Sequence, residues 1–145
     1  MKKSVKIQCL TAVCAVLLAC LCSCSKMVSF IRFPSDEDST RYNEIFEVKK
    51  TPGNDAVIFY ASEELYDIKI TETEYNEDKN EYSDIKELWN KDTLKKGDGI
   101  KIWLDFSKKV PYVKVCYTRK NGETREQFIY KNADTGKLWL LEQNI

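Results

Sequence analysis

The sequence predicts an all-β domain, an antiparallel sandwich of about seven short strands with one short helix, placed after an apolar N-terminal leader. Three observations lead there. From residue 42 onward apolar side chains recur mostly at every second position, the period of a half-buried strand. Runs rich in Val, Ile, Tyr and Phe are separated by clusters of Gly, Asn, Asp and Pro, the punctuation of short strands. Beyond the leader one cysteine remains, Cys116, so an apolar core and not a disulfide framework must hold the body together.

The strands follow in order. "YNEIFEV" sets Tyr42, Phe46 and Val48 on one face. "AVIFYA" is a continuous apolar run after "TPGND", the pattern of a strand buried on both sides. In "YDIKIT", Tyr66, Ile68 and Ile70 alternate with Asp67, Lys69 and Thr71. "IKIWLDF" turns Ile100, Ile102, Leu104 and Phe106 inward and Lys101, Trp103 and Asp105 outward. "YVKVCYT" separates Val113, Val115 and Tyr117 from Lys114, Cys116 and Thr118, and "EQFIYK" and "KLWLL" complete the set. Asn121-Gly122 lies between two alternating runs, a strong hairpin signal because both residues can take positive φ. "NADTG" supplies another turn and "KKGDG" a bend, so the last four strands read as an antiparallel meander. Pro111 opens a strand, where a missing N–H is tolerated.

One segment breaks the period. "SDIKELWNKDTL" places Ile85, Leu88 and Trp89 at i, i+3 and i+4, with Ser83 or Asp84 able to cap, and predicts one or two helical turns covering a sheet edge or an open end.

The stretch "YDIKITETEYN…DIKELWN…LKKGDGIKIWLDF…PYVKVCYTRKNGETREQFIYKN" resembles the small immunoglobulin-like sandwich modules carried by bacterial exported proteins. The resemblance covers roughly residues 56 to 131 and lies in the layout of strands and turns. It implies an immunoglobulin-like sandwich and no shared catalytic site.

The leader determines where the protein is expected to live. "MKKSVK" is basic, and Ile7 to Cys22 is apolar apart from Gln8 and Thr11, too short a core to span a bilayer as a helix of about 20 residues. It ends in "LLACLCSC", where Cys20 and Cys24 each follow a small residue and have Leu three positions before them. Apolar core, small residue and cysteine together resemble the signal of bacterial lipoproteins, which is cut immediately before a cysteine that then carries lipid. Polarity begins at Ser23, which favours Cys24 as the lipidated residue; Cys20, in the frame Leu-Leu-Ala-Cys, is the alternative. The expected organisation is a signal peptide over 1–23, lipid attachment and a tether over 24–41, and the sandwich over 42–145. Met27 to Pro34 gives way to the acidic, Ser-rich "SDEDSTR", a solvated tether by composition.

The residue inventory narrows the chemistry. With no histidine in the chain, Ser-His and Cys-His nucleophiles and histidine-bearing metal sites are excluded. Cys20, Cys22 and Cys24 have thiolate-site spacing but sit in the leader without a second cysteine pair downstream. Asp36, Glu37 and Asp38 lack the spacing of a calcium loop. No phosphate-binding glycine loop is present. Taking Lys2, Lys3 and Lys6 from the 23 basic residues leaves 20 against 23 acidic ones, a balance that does not favour nucleic acid.

The expectation is therefore a non-catalytic, membrane-anchored lipoprotein of the bacterial cell envelope, a binding or assembly module with no cofactor beyond the covalent lipid, palmitate among its acyl chains. Its partners would be the membrane, through the anchor, and an envelope protein or glycan. Candidate contacts are the aromatic residues Trp103, Tyr60 and Trp139, of which Tyr60 and Trp139 could share an outward face or could equally be core. Two alternatives stand beside this reading: a carbohydrate-binding module that stacks sugars on the same aromatics, and a thiol-dependent redox protein using Cys116.

Overall fold

The structure is a computed structural model and describes residues 26–143. Cys20 and Cys24 lie outside the described residues. Nine strands form two sheets: β1 (Ser29–Arg32), β2 (Ile45–Glu47), β3 (Asp55–Ala61), β4 (Leu65–Asn76), β5 (Glu81–Leu94), β6 (Gly99–Leu104), β7 (Val113–Arg119), β8 (Thr124–Lys131) and β9 (Leu138–Glu142). One short helix, α1 (Asp38–Arg41), lies between β1 and β2. Sheet A has the order β1-β3-β6-β2 and sheet B the order β5-β4-β7-β8-β9.

The all-β sandwich expected from the two-residue period is what forms. Strands β1-β3-β6 face β5-β4-β7-β8, the A-B-E against C′-C-F-G order of immunoglobulin domains; β2 takes the place beside E, and β9 extends the second sheet. The inner faces carry Val57, Phe59, Ile100 and Ile102 from sheet A against Ile68, Ile70, Val115 and Tyr117 from sheet B, all buried. Lys101 and Trp103 point outward from β6, as the alternation requires. One polar bridge crosses the core. Tyr117 donates its hydroxyl hydrogen to Ser29 Oγ (2.8 Å), and Ser29 donates to Gln127 Oε1 (2.6 Å), tying β1 to β7 and β8. Each of these buried hydroxyls thereby finds a partner.

Several elements differ from the sequence-based expectation. From Val28 onward the segment expected as a tether is part of the fold. Ser29 to Arg32 pairs with β3, and Val28 is 2% exposed. Residues 33–44 then cross the outer face of sheet A through α1, so that β2 arrives at the far edge and pairs parallel with β6, the one departure from an antiparallel arrangement. A parallel neighbour requires such a crossover connection. Tyr42 is the centre of that crossing and not a strand residue: its ring lies 5.8 Å from that of Tyr60, and Arg32 Nε donates to its hydroxyl (2.8 Å) while also pairing with Asp38. Gly99 lets it approach, since a Cβ there would meet Tyr42 at 3.3 Å and Ile58 at 3.0 Å.

The last four expected strands do not form one meander. β6 belongs to sheet A and only β7-β8-β9 run as a meander in sheet B. The Asn121-Gly122 hairpin exists, but only Gly122 has positive φ (86°). Arg119 donates to the Glu123 carbonyl and Gly122 to the Arg119 carbonyl, giving a three-residue loop that ends on a left-handed glycine in place of the two-residue turn.

The largest correction concerns residues 83–94, expected as helix and found inside β5. Opposite β4, Trp89 pairs with Ile70 but Glu87 with Thr71, and Lys86 pairs with Glu72 but Asp84 with Thr73. Leu88 and Ile85 are thus extra residues in two β-bulges. The three apolar residues do not share one buried face: Leu88 and Trp89 pack against the core, while Ile85 is 58% exposed. The bulges also bend the hairpin. Its outer part, Thr73–Asn76 with Glu81–Asp84, extends past the β4–β7 ladder and curls over the outer face of sheet B. Tyr82 stacks on Phe128 of β8 at 4.3 Å, and Asp84 pairs with Lys114 of β7 at 2.8 Å.

Candidate functional site

The three aromatic residues singled out from the sequence end up in three different settings. Tyr60 and Trp103 lie on the outer face of sheet A, through the alternation of β3 and β6. Tyr60 is stacked on Phe30 (5.4 Å) and edged by Tyr42, so the crossing segment has taken its free face. Trp103 is half-buried, with the Lys101 ammonium 5.5 Å from its ring centroid. Trp139 stands apart. It is 52% exposed on β9, opposite Tyr130, on the outer face of sheet B. Tyr60 and Trp139 therefore face opposite ways and share no surface.

Around Trp139 the alternation builds a continuous patch. Leu141, two residues on, is 42% exposed and sits opposite Phe128, whose other side is covered by Tyr82. Trp139, Leu141 and Tyr130 thus form an apolar strip over β8 and β9, the last of which is an edge strand of sheet B. Exposed aromatics beside an aliphatic neighbour have the composition of the centre of a protein-binding surface. A separate open cleft of about 620 Å³ lies between β2 and the end of β5, lined by Asn43, Phe46, Lys91, Lys95, Lys96 and Asp98. Its aromatic floor is occupied, because the Lys91 ammonium lies 4.2 Å from the Phe46 centroid. Sequence reasoning missed this cleft because Lys91 and Phe46 belong to different sheets and only the sandwich brings them together.

Cys116 lies on the outer face of β7, half-buried beneath the curled hairpin, and pairs across the ladder with Glu126. Lys114, on the same face, is spent on Asp84 and Glu126 (2.8 and 3.2 Å). Arg125 is opposite Tyr117 and points to the other side of the sheet, so it gives the thiol no support. Burial pushes the thiol up to about 11; the Lys114 charge opposes this, and Glu126 reinforces it. A redox or nucleophilic thiol needs the opposite shift. Because this pKa is raised, the protonated thiol contributes stability that is full below the ordinary value of 9.0 and is lost as pH rises through about 11. Two results are expected: an alkylation rate that reaches half its maximum near pH 11, and a Cys116→Ala variant that loses less stability than the parent between pH 9 and 11 in urea melts. A half-maximal rate below the usual thiol value would overturn this assignment.

Among the described residues no group of three or more His, Cys, Asp or Glu side chains is arranged to hold a metal ion. No protein family, curated protein or solved structure matches the chain. Its site is read from its own geometry.

At one end of the sandwich the charges form a chain. Arg119 joins Glu63 (2.8 Å) and Glu123 (2.9 Å), and Arg125 joins Glu123 (2.7 Å) and Glu142. Arg119 holds the Glu63 carboxyl below its usual range by hydrogen bonding, and the two arginines lower Glu123 against its desolvation. This ladder closes the end of the sandwich where the β7–β8 turn and the β3–β4 connection meet.

Proposed function

We propose that this protein is a lipid-anchored module of the bacterial cell envelope that binds a protein partner through the Trp139–Leu141 face of sheet B. The observation that carries the binding half is the exposure of those two side chains, 52% and 42%, on one face of an edge strand. The leader ending at Cys24 carries the anchoring half, with Cys20 as the alternative attachment. A non-catalytic role agrees with the absence of histidine from the chain and with the raised thiol of Cys116.

The test compares four forms of the full chain expressed in a bacterium: the parent, Cys24→Ala, Cys20→Ala and Trp139→Ala. The parent is expected in the membrane fraction as a cleaved, acylated protein, since each buried methylene of its lipid adds about 0.8 kcal/mol. Cys24→Ala should remain as the larger, unacylated precursor. Trp139→Ala should keep acylation and lose the partner that cross-links to the parent at this face. Acylation lost only in Cys20→Ala would move the attachment site to Cys20; acylation unaffected by either change would sink the anchor. A soluble glycan that competes for Trp139 would favour the carbohydrate-binding alternative.

A further inference from the structure

From Val28 onward the segment expected as a tether is held in the fold, and this constrains how an anchored domain can stand. Val28 is buried, and its carbonyl accepts a hydrogen bond from the Ser62 N–H (2.8 Å), so the chain is pinned to the fold at that point. Val28 is four residue steps from Cys24, with Ser25, Lys26 and Met27 between them. Even fully extended these steps span at most about 14 Å. A lipid on Cys24 would therefore hold one particular end of the sandwich within that distance of the bilayer surface.

Strand register defines that end. Ser29 pairs with Ala61, Leu65 with both Leu94 and Arg119, and Tyr60 with Gly99. The connections 62–64, 95–98 and 120–123 consequently lie together beside Val28. The opposite end carries the β4–β5 turn at 77–80 and the turn at 132–136. Of the charges at the pinned end, Glu63 and Glu123 are held by Arg119, Glu64 accepts the Tyr66 hydroxyl hydrogen (2.5 Å), and Asp98 is buried. Glu44 and Asp92 are exposed acids there. Lys26, Lys95, Lys96 and Lys120 are exposed, and none has an ion pair among the described residues. With these four lysines and the two arginines set against Glu44, Glu63, Glu64, Asp92, Asp98, Glu123 and Glu142, this end is near charge balance, so the short attachment at Val28, and not net charge, directs it to the bilayer.

We infer that the domain stands end-on on the bilayer, with the connections 62–64, 95–98 and 120–123 against the headgroups and the β4–β5 turn pointing away. This rests on the anchor reading above and deepens it. Both sheets then stand upright, and the Trp139–Leu141 face looks sideways along the membrane toward a partner at the same height.

The test places a photoreactive phenylalanine analogue at Lys120 or at Asp78 in the full lipidated chain. The chain is reconstituted in vesicles of phosphatidylethanolamine and phosphatidylglycerol, and lipid adducts are measured by intact mass. Adducts at 120 are expected to exceed those at 78 several-fold. Inserting about a dozen Gly and Ser residues after Ser25, with a coil dimension of roughly 20 Å, should bring the two yields together while the protein stays on the vesicles. Equal yields without the insertion, or adducts mainly at 78, would overturn the end-on placement while leaving the anchor intact. Absence of the acyl mass together with failure to float with the vesicles would overturn both, and the same samples read it directly.

Discussion

Shortening Ile102 to alanine is expected to destabilise the domain by about 2–5 kcal/mol, the range for removing a fully buried aliphatic side chain and leaving part of its space empty. Ile102 is 1% exposed on β6, the strand that pairs with both β3 and β2, so there is little room for neighbours to collapse into the gap. The adjacent Lys101 is the control. Its ammonium reaches Glu47 at 3.7 Å and lies over Trp103, both at the surface. Lys101→Ala should therefore cost at most about 1 kcal/mol. Urea melts of the two variants decide the register of the strand. Equal costs, or a larger one for Lys101, would mean that β6 does not present the faces described.

Phe128→Ala should have a comparable cost, about 3–5 kcal/mol, with a different signature. Phe128 is on the outer face of sheet B, where an immunoglobulin-like strand would ordinarily meet solvent, yet it is 4% exposed because Tyr82 lies on it. Tyr82 in turn packs against Tyr75 at 4.9 Å. Removing the ring takes away the apolar seat of the curled hairpin and leaves the Asp84–Lys114 pair as its main attachment. Amide exchange should rise first in Thr73–Asn76 and Glu81–Asp84, ahead of any change in β6 or β7. Phe128→Leu, which keeps apolar volume, should restore most of the protection. Uniform loss of protection across both sheets would show that Phe128 is simply a core residue and that the hairpin does not depend on it.

The difference between these two residues shows what local pattern can and cannot reveal. Ile102 was legible because its neighbours alternate strictly, and the alternation reads directly as inside and outside. Phe128 lies in "EQFIYK", where Phe128, Ile129 and Tyr130 are all apolar and the period fails. Its burial comes from a hairpin that starts more than fifty residues earlier in the chain. The same hairpin explains the misread helix. Ile85, Leu88 and Trp89 have helical spacing, but Ile85 and Leu88 are the extra residues of two bulges, and only Leu88 and Trp89 reach the core. Only the partner strand β4 distinguishes such a strand from a helix.

The candidate contacts divide along the same line. Outward orientation of Trp103 could be read from the sequence, whereas Tyr60 stands in a run without alternation that left outside and core equally open; in the fold it lies on the outer face, covered by Tyr42 and Phe30. Arg32, Asp38 and Tyr42 make the segment expected as a tether structural through contacts with each other and with sheet A, and none of these pairings has a sequence signature.

By itself the sequence determined the sandwich class, most of the strands, the inward faces of β6 and β7, and the lone thiol of the body, because each depends on side-chain period or residue count. The tertiary structure decided the parallel β2–β6 pair, the strand identity of residues 83–94, the inclusion of residues 28–41 in the fold, the exposure of Trp139 and the raised pKa of Cys116. Each of these depends on which distant segment lies against the residue. Burial, pairing and desolvation are set by neighbours in space, and a periodic pattern records only which side of its own strand a residue occupies.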